Sequence, residues 1–448
     1  MKFLFEILAL CLCAIIIFSK GKTRARVFLF SVFFVPPVFG TAHILFSIAV
    51  IISLVLNKEI RGELKSFPLK NISLAILLIY FIISLLDKRL SLIESVVRPV
   101  IYFIQTYLWL FIGYSLFKQE KDWREVIRIL FQVLSIFAVY GLVTWIIQRN
   151  PWNEFVDSVY GGGSMWVGIQ ERGYRVYSFL NNPIAYGCVM TIGALSIWPL
   201  YLGTRSKMIL VFLLLIICNV FLSNSRTDII LLGLSIILYI LFYHGLSVKA
   251  IAYLGGICIG VGILYFNVDS IRSVMNSVFD IFISGGNNLT GSSIEMRELQ
   301  LTTAFMYFNE SPFWGHGLQY FSENIQPQYG TRSGLAGLES YAFRLLVEMG
   351  LFMIIAFIIY VFRFIYIANR RKSCSLQISS LVLAQFVAFI FFLIATGDYG
   401  NIFEYCLIII GVNLKYLMVR KNSQRYTKIN LNTYASNEFI SYNKKIRC

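Results

Sequence analysis

The chain has 448 residues, of which 58% are hydrophobic and 14% charged, with a mean hydropathy of +0.71 and a formal net charge of +16. Soluble domains carry about a quarter charged residues, so these values exclude a soluble protein and identify an integral membrane protein. The basic balance calls for no nucleic-acid partner, because the positive charge is spread over many short loops instead of forming one patch.

Apolar runs of roughly 17 to 25 residues read as spanning helices. They occur near 3–19, 72–87, 98–117, 127–147, 184–202, 208–222, 229–243, 249–267, 341–366, 376–396 and 402–418. The stretch 27–56 would extend ~45 Å at ~1.5 Å per residue, too long for one untilted crossing, and Pro36-Pro37 interrupts it. It therefore divides into 27–38 and 40–56, which brings the expectation to thirteen spans. The first run lacks a small-residue cleavage site before its basic flank and reads as a retained span. The expected fold class is an all-α polytopic helix bundle of about 12–13 transmembrane helices. Residues 1–418 form a single membrane domain without repeats or linkers, and 419–448 form a polar, basic tail.

Lysine and arginine give the orientation. With the tail in the cytoplasm, its side also holds Lys20 to Arg26, Lys58 to Lys70, Lys118 to Arg128, Arg205, Lys207, Lys249 and Arg370 to Lys372. The opposite side holds fewer: Lys88, Arg89, Arg98, Arg149, Arg172, Arg175, Arg226, Arg272, Arg297 and Arg332. Both large loops, 148–183 and 267–339, then face outward. The first contains Gly161-Gly162-Gly163; in the second, Ser292-Ser293-Ile294-Glu295 fits a capping box that opens a helix from about 293 to 308, ended before Pro312. The eight cysteines lie in spans, at a span edge or at the C-terminus, which argues against a disulfide framework. Three scattered histidines and the absence of CxxC predict no metal site and no cofactor.

The outward arginines stand against the positive-inside bias. Arg172 and Arg175 precede the span 184–202, Arg226 lies in the turn Ser223–Asp228, and Arg297 lies in the long loop. Each needs an anionic partner. Local acids, namely Glu171, Asp228 and Glu298, or lipid phosphate satisfy that need one by one, while several guanidinium forks at one membrane face suit a lipid-linked diphosphate. Glu339 and Glu348 bracket the start of the span 341–366. A carboxylate at a membrane boundary can serve as a general base toward a sugar hydroxyl. Glu348 also lies four residues after Arg344, a spacing that suits an intrahelical pair. His316, between Gly315 and Gly317, reads as a turn residue holding the loop more readily than as a base.

These segments in order resemble the O-antigen polymerase and ligase superfamily: Arg175-Val-Tyr-Ser-Phe-Leu-Asn-Asn182-Pro183 entering a span; Leu222-Ser-Asn-Ser225-Arg226; Arg297; Ser311 to Leu318; and Glu339 to Gly350. The resemblance covers roughly 175–350 and agrees with the orientation given by lysine and arginine. It implies a metal-independent glycosyltransferase of the GT-C type in the bacterial cytoplasmic (inner) membrane, with its active site on the outer face and undecaprenyl-diphosphate-linked oligosaccharide as donor and acceptor. Arg175 and Arg226 would bind the diphosphate and aid its departure, and Glu339 would be the catalytic base. Arg172, Arg297, His316, Arg344 and Glu348 would contact substrate or hold the loop. Where ligases have a His-Asn pair at the entry to this helix, the chain reads Glu339-Ser340. That departure favours a repeat-unit polymerase for O-antigen or capsule over a ligase. Implied partners are membrane lipid, a chain-length regulator and a flippase. A flippase or transporter is the rival from another class, but it predicts related halves and ionisable groups at the bilayer midplane.

Overall fold

The computed structural model describes residues 2–35, 42–160, 169–170, 173–267, 294–325, 339–373, 375–397 and 401–420, with a few residues between 272 and 280. Pro36-Pro37, Gly161–Gly163, Glu171, Arg172, Ser292-Ser293, Arg332 and the tail from residue 421 lie outside the described residues.

In chain order the helices are α1 (Lys2–Phe18), α2 (Gly21–Phe34), α3 (Ala42–Leu56), α4 (Ile60–Ser66), α5 (Lys70–Leu86), α6 (Leu92–Thr106), α7 (Leu108–Ser115), α8 (Glu120–Ile147), α9 (Pro151–Tyr160), α10 (Pro183–Thr204), α11 (Lys207–Leu222), α12 (Arg226–His244), α13 (Val248–Asn267), α14 (Ile294–Glu310), α15 (Tyr341–Arg370), α16 (Leu376–Thr396) and α17 (Ile402–Arg420). The strands β1 (Ile169–Gln170) and β2 (Gly173–Tyr174) pair antiparallel, Ile169 opposite Tyr174.

A helix stands at each of the thirteen expected span positions. Among the described residues seven helices are long and apolar enough to cross a membrane, or nine if each of two bent pairs is one span. The bent pairs, α3 with α4 at 106° and α6 with α7 at 52°, are what apolar content alone does not reveal. The expected span 98–117 is such a pair, beginning at Leu92 because Ser91 and Glu94 close a capping box. The expected loop helix is present as α14. In α15 the expected continuous helix contains a wide π turn at Leu345–Met349, followed by Gly350 at φ 65°.

Small residues let the helices approach. A Cβ at Gly113 of α7 would strike the Ile408 backbone of α17, and one at Gly411 would strike the Leu110 carbonyl. Polar side chains inside the bundle satisfy one another. Gln385 Nε2 donates to Ile192 O (2.8 Å) and Ser196 Oγ (2.6 Å), Asn413 Nδ2 donates to Ser196 Oγ (2.8 Å) and Gln385 Oε1 (3.1 Å), and Trp123 Nε1 donates to Asn413 Oδ1 (3.2 Å). This network joins α8, α10, α16 and α17. At the end of the bundle away from the long loop, Lys415 pairs with Glu63 at 2.5 Å, and Arg24 and Lys118 share Glu59 at 2.9 Å each.

Candidate functional site

Strand β2 runs into the extended segment Arg175–Tyr177, where Val176 N–H donates to Leu222 O (3.0 Å) and ties the segment to the end of α11. Arg175 Nε then donates to Ser223 O (3.2 Å), which lays its side chain on the α11–α12 turn. That turn is tight because Asn224 takes φ 51° and Ser225 caps α12, accepting from Asp228 N–H at 3.4 Å. Arg226 is the first residue of α12, not a turn residue as expected, and Asp228 is the third. Both arginines are nearly buried, at 6% and 7% exposure, and Asp228 is at 0%.

The local pairing expected for Arg226 is not the arrangement found. Residues two apart on a helix point to different sides, and the Asp228 carboxyl lies by the hydroxyl of Ser223, the residue whose carbonyl Arg175 reaches. Nearby in the same loop region, burial raises the Asp157 carboxyl above its ordinary range and the Tyr177 hydroxyl likewise.

A second group ties down the long loop. Arg297, in the first turn of α14, pairs with Glu339 Oε2 at 3.2 Å and also reaches Ala395 O at the end of α16. It bypasses its chain neighbour Glu298, the expected local acid. Glu339 N–H donates to Gln300 Oε1 (3.2 Å), and a Cβ at Gly397 would come within 3.1 Å of Glu339 O. The structure thus brings Arg297 and Glu339 together at the re-entry point, both side chains partly exposed.

The Gly315-His316-Gly317 turn docks on the π turn of α15. His316 N–H donates to Val347 O (2.9 Å), Gly317 N–H to Glu348 O (2.9 Å), and Leu351 N–H to Pro312 O (2.8 Å). The widened turn and Gly350 expose these carbonyls, and glycine is required at 315 because a Cβ there would strike Glu348 and Met349 backbone. His316 serves this turn, as its sequence context suggests: Nε2 donates to Tyr307 O (2.8 Å) and the ring stacks on Tyr320 at 4.6 Å. Glu348 is buried and accepts from Phe321 N–H (3.1 Å) and the Tyr102 hydroxyl (3.5 Å). Arg344 is half-buried and directly precedes the π turn that contains Glu348.

Two sets of residues went unnoticed in the sequence. Arg89 holds Asp87 (2.6 Å), donates to His316 O (3.1 Å) and lies over the Tyr320 ring, while Arg98 holds Glu323 (2.9 Å) and Leu318 O (3.1 Å). Their outward position was visible, but not their partners more than two hundred residues away. His43 of α3 and Glu404 of α17 form a buried pair, with the other ring nitrogen of His43 on Val35 O (2.8 Å). The available signal was an ionisable residue inside each apolar run.

The family model described as O-antigen ligase matches residues 210–358, from within α11 to within α15. The matched stretch contains Arg226, Arg297, His316, Glu339, Arg344 and Glu348, and leaves Arg175 just outside it. No curated protein matches the chain. On a polytopic all-α membrane scaffold, residues 210–358 are thus similar to the O-antigen ligase family, a match that supports the O-antigen polymerase and ligase superfamily.

Proposed function

We propose that the protein is a repeat-unit polymerase for bacterial surface polysaccharide, O-antigen or capsule, acting at the outer face of the cytoplasmic membrane. The observation that carries this reading is the convergence of two nearly buried arginines, Arg175 and Arg226, on one helix-opening turn at the end of the bundle that carries the long loop. Guanidinium groups there, with the N-terminus of α12, favour the phosphate oxygens of a lipid diphosphate. An acceptor sugar hydroxyl attacks the anomeric carbon of the donor glycan as its bond to the diphosphate breaks. Undecaprenyl diphosphate leaves with the electron pair, its developing charge stabilised by Arg175 and Arg226. The hydroxyl proton passes to Glu339, which Arg297 holds at the loop's re-entry point. The lipid anchors of donor and acceptor explain a site at the membrane surface. No metal has a part in this scheme, as the family resemblance implies.

The second reading is a ligase that delivers finished chains to another acceptor, favoured by the description of the matching family model. Glu339-Ser340 at the helix entry, in place of the ligase-like His-Asn, favours polymerase. Gene deletion separates the two: single-repeat surface chains accompany loss of a polymerase, and long chains left on the carrier accompany loss of a ligase. Polymer formed by the purified protein from lipid-linked repeat units, all on one face of a liposome, supports transfer and overturns a flippase.

A further inference from the structure

Asp228 has features that the scheme above does not use. Its side chain is wholly buried, yet Oδ1 has no hydrogen-bond partner among the described residues, and Oδ2 lies 3.5 Å from the Ser223 hydroxyl, which also donates to Val220 O at 2.8 Å. Burial of an under-satisfied carboxylate is expensive in any protein and more so between membrane helices. The fold nonetheless makes room for it. A Cβ at Gly187 of α10 would collide with the Asp228 carboxylate, so α10 presents a glycine where the acid enters.

Ser223 connects this acid to the candidate site. Its carbonyl accepts from Arg175 Nε at 3.2 Å while its hydroxyl faces Asp228. Arg175 and Asp228 thus meet on two sides of one shared residue. For stability alone, apolar packing generally does as well as a buried ion pair. An arginine that must meet a departing diphosphate has a further need, because its guanidinium must keep one orientation while the ligand comes and goes.

We propose that Asp228, seated in the recess left by Gly187, is a positioning residue that holds Arg175 in the orientation used for the lipid diphosphate. The proposal rests on the polymerase-class reading of the site. It has a consequence of definite sign. Asp228 does not itself contact the lipid diphosphate in this scheme, so its replacement does not weaken donor binding, while the lost orientation slows transfer.

The test is a kinetic double-mutant cycle on the purified full-length protein in detergent, with synthetic repeat units linked to a polyprenyl diphosphate as donor and acceptor. Arg175→Ala is expected to raise the donor KM and lower kcat. Asp228→Asn is expected to lower kcat about 10- to 100-fold with the donor KM unchanged or lower, and to add nothing in the Arg175→Ala background. A defective Arg175→Ala on which Asp228→Asn multiplies a further loss overturns the positioning of Asp228 alone. Wild-type kinetics of Arg175→Ala overturn the reading of the site itself. Should Asp228→Asn fail to accumulate, Ser223→Ala, which removes only the hydroxyl contact, is expected to give a smaller loss of kcat that vanishes in the Arg175→Ala background; an unchanged kcat overturns the proposal.

Discussion

Polar groups are buried in two parts of this bundle, and they are buried differently. In the network of Ser196, Gln385, Asn413 and Trp123 the side chains donate to one another and to a carbonyl, closing a set of hydrogen bonds across four helices. At the turn between α11 and α12, Arg175, Arg226 and Asp228 are buried to a similar degree, but charge is gathered there and one Asp228 oxygen has no partner. A closed neutral network fixes helix register. A charged cluster with an under-satisfied oxygen at a helix N-terminus is costly as architecture and useful for chemistry. The difference teaches that polar burial in a membrane domain separates into structural and functional kinds by whether the hydrogen-bonding groups close on themselves.

The largest effects should come from the charged groups. Glu339→Gln is expected to lower transfer by about 10²- to 10⁴-fold, the range of a lost general base, with the folded yield in detergent unchanged. Full-length polymer made by this variant in cells refutes Glu339 as the base. Arg226→Ala is expected to cost about 10²- to 10³-fold in turnover, as for one lost donor to a developing anion. The closed network should behave in the opposite way. Gln385→Leu leaves one Asn413 amide N–H without its acceptor, so a loss of about 1–3 kcal/mol in stability is expected, read as a lower melting temperature. Turnover per folded molecule should stay at the wild-type value; a selective loss of turnover would erase the distinction between the two regions.

Smaller effects sharpen the same contrast. Ser91→Ala opens the capping box of α6 and should lower stability by about 1 kcal/mol without touching transfer. Asp157 provides a half-buried acid outside the cluster, with Oδ1 buried and unpartnered among the described residues and the carboxyl raised by burial. A folded value above the unfolded one means that the fold disfavours the charged form, a penalty absent at low pH that grows as the pH rises past about 4. Asp157→Asn should therefore melt slightly higher than wild type at pH 7, with the gain shrinking as the pH falls toward 4. A lower melting point at pH 7 would show that the charged form is satisfied after all.

Much of the architecture follows from local sequence. Runs of apolar residues fix helices at the expected positions because a backbone in lipid must satisfy its own hydrogen bonds, and Gly315 with Gly317 marks the loop's turn because both take positive φ. Arg175, Arg226 and Arg297 stand out as charges placed against the membrane's ordinary bias, and Glu339 as a carboxylate at a membrane boundary. Helix breaks were harder to see. The 52° bend between α6 and α7 and the π turn in α15 lie inside expected spans with no glycine or proline at the break itself, where tertiary packing sets the backbone path.

Partner choice belongs to the tertiary structure alone. The sequence by itself determined a polytopic helical membrane protein, its charged loops and the residue types available for a lipid diphosphate. Only the fold decided that Arg297 takes Glu339 and not the adjacent Glu298, that Arg175 and Asp228 meet at Ser223, and that His43 meets Glu404 across the bundle. The physical reason is one of range. Hydrophobicity and backbone propensity act over a few turns and can be read along the chain, whereas a buried charge is satisfied by whatever the packing of distant helices brings within hydrogen-bond reach.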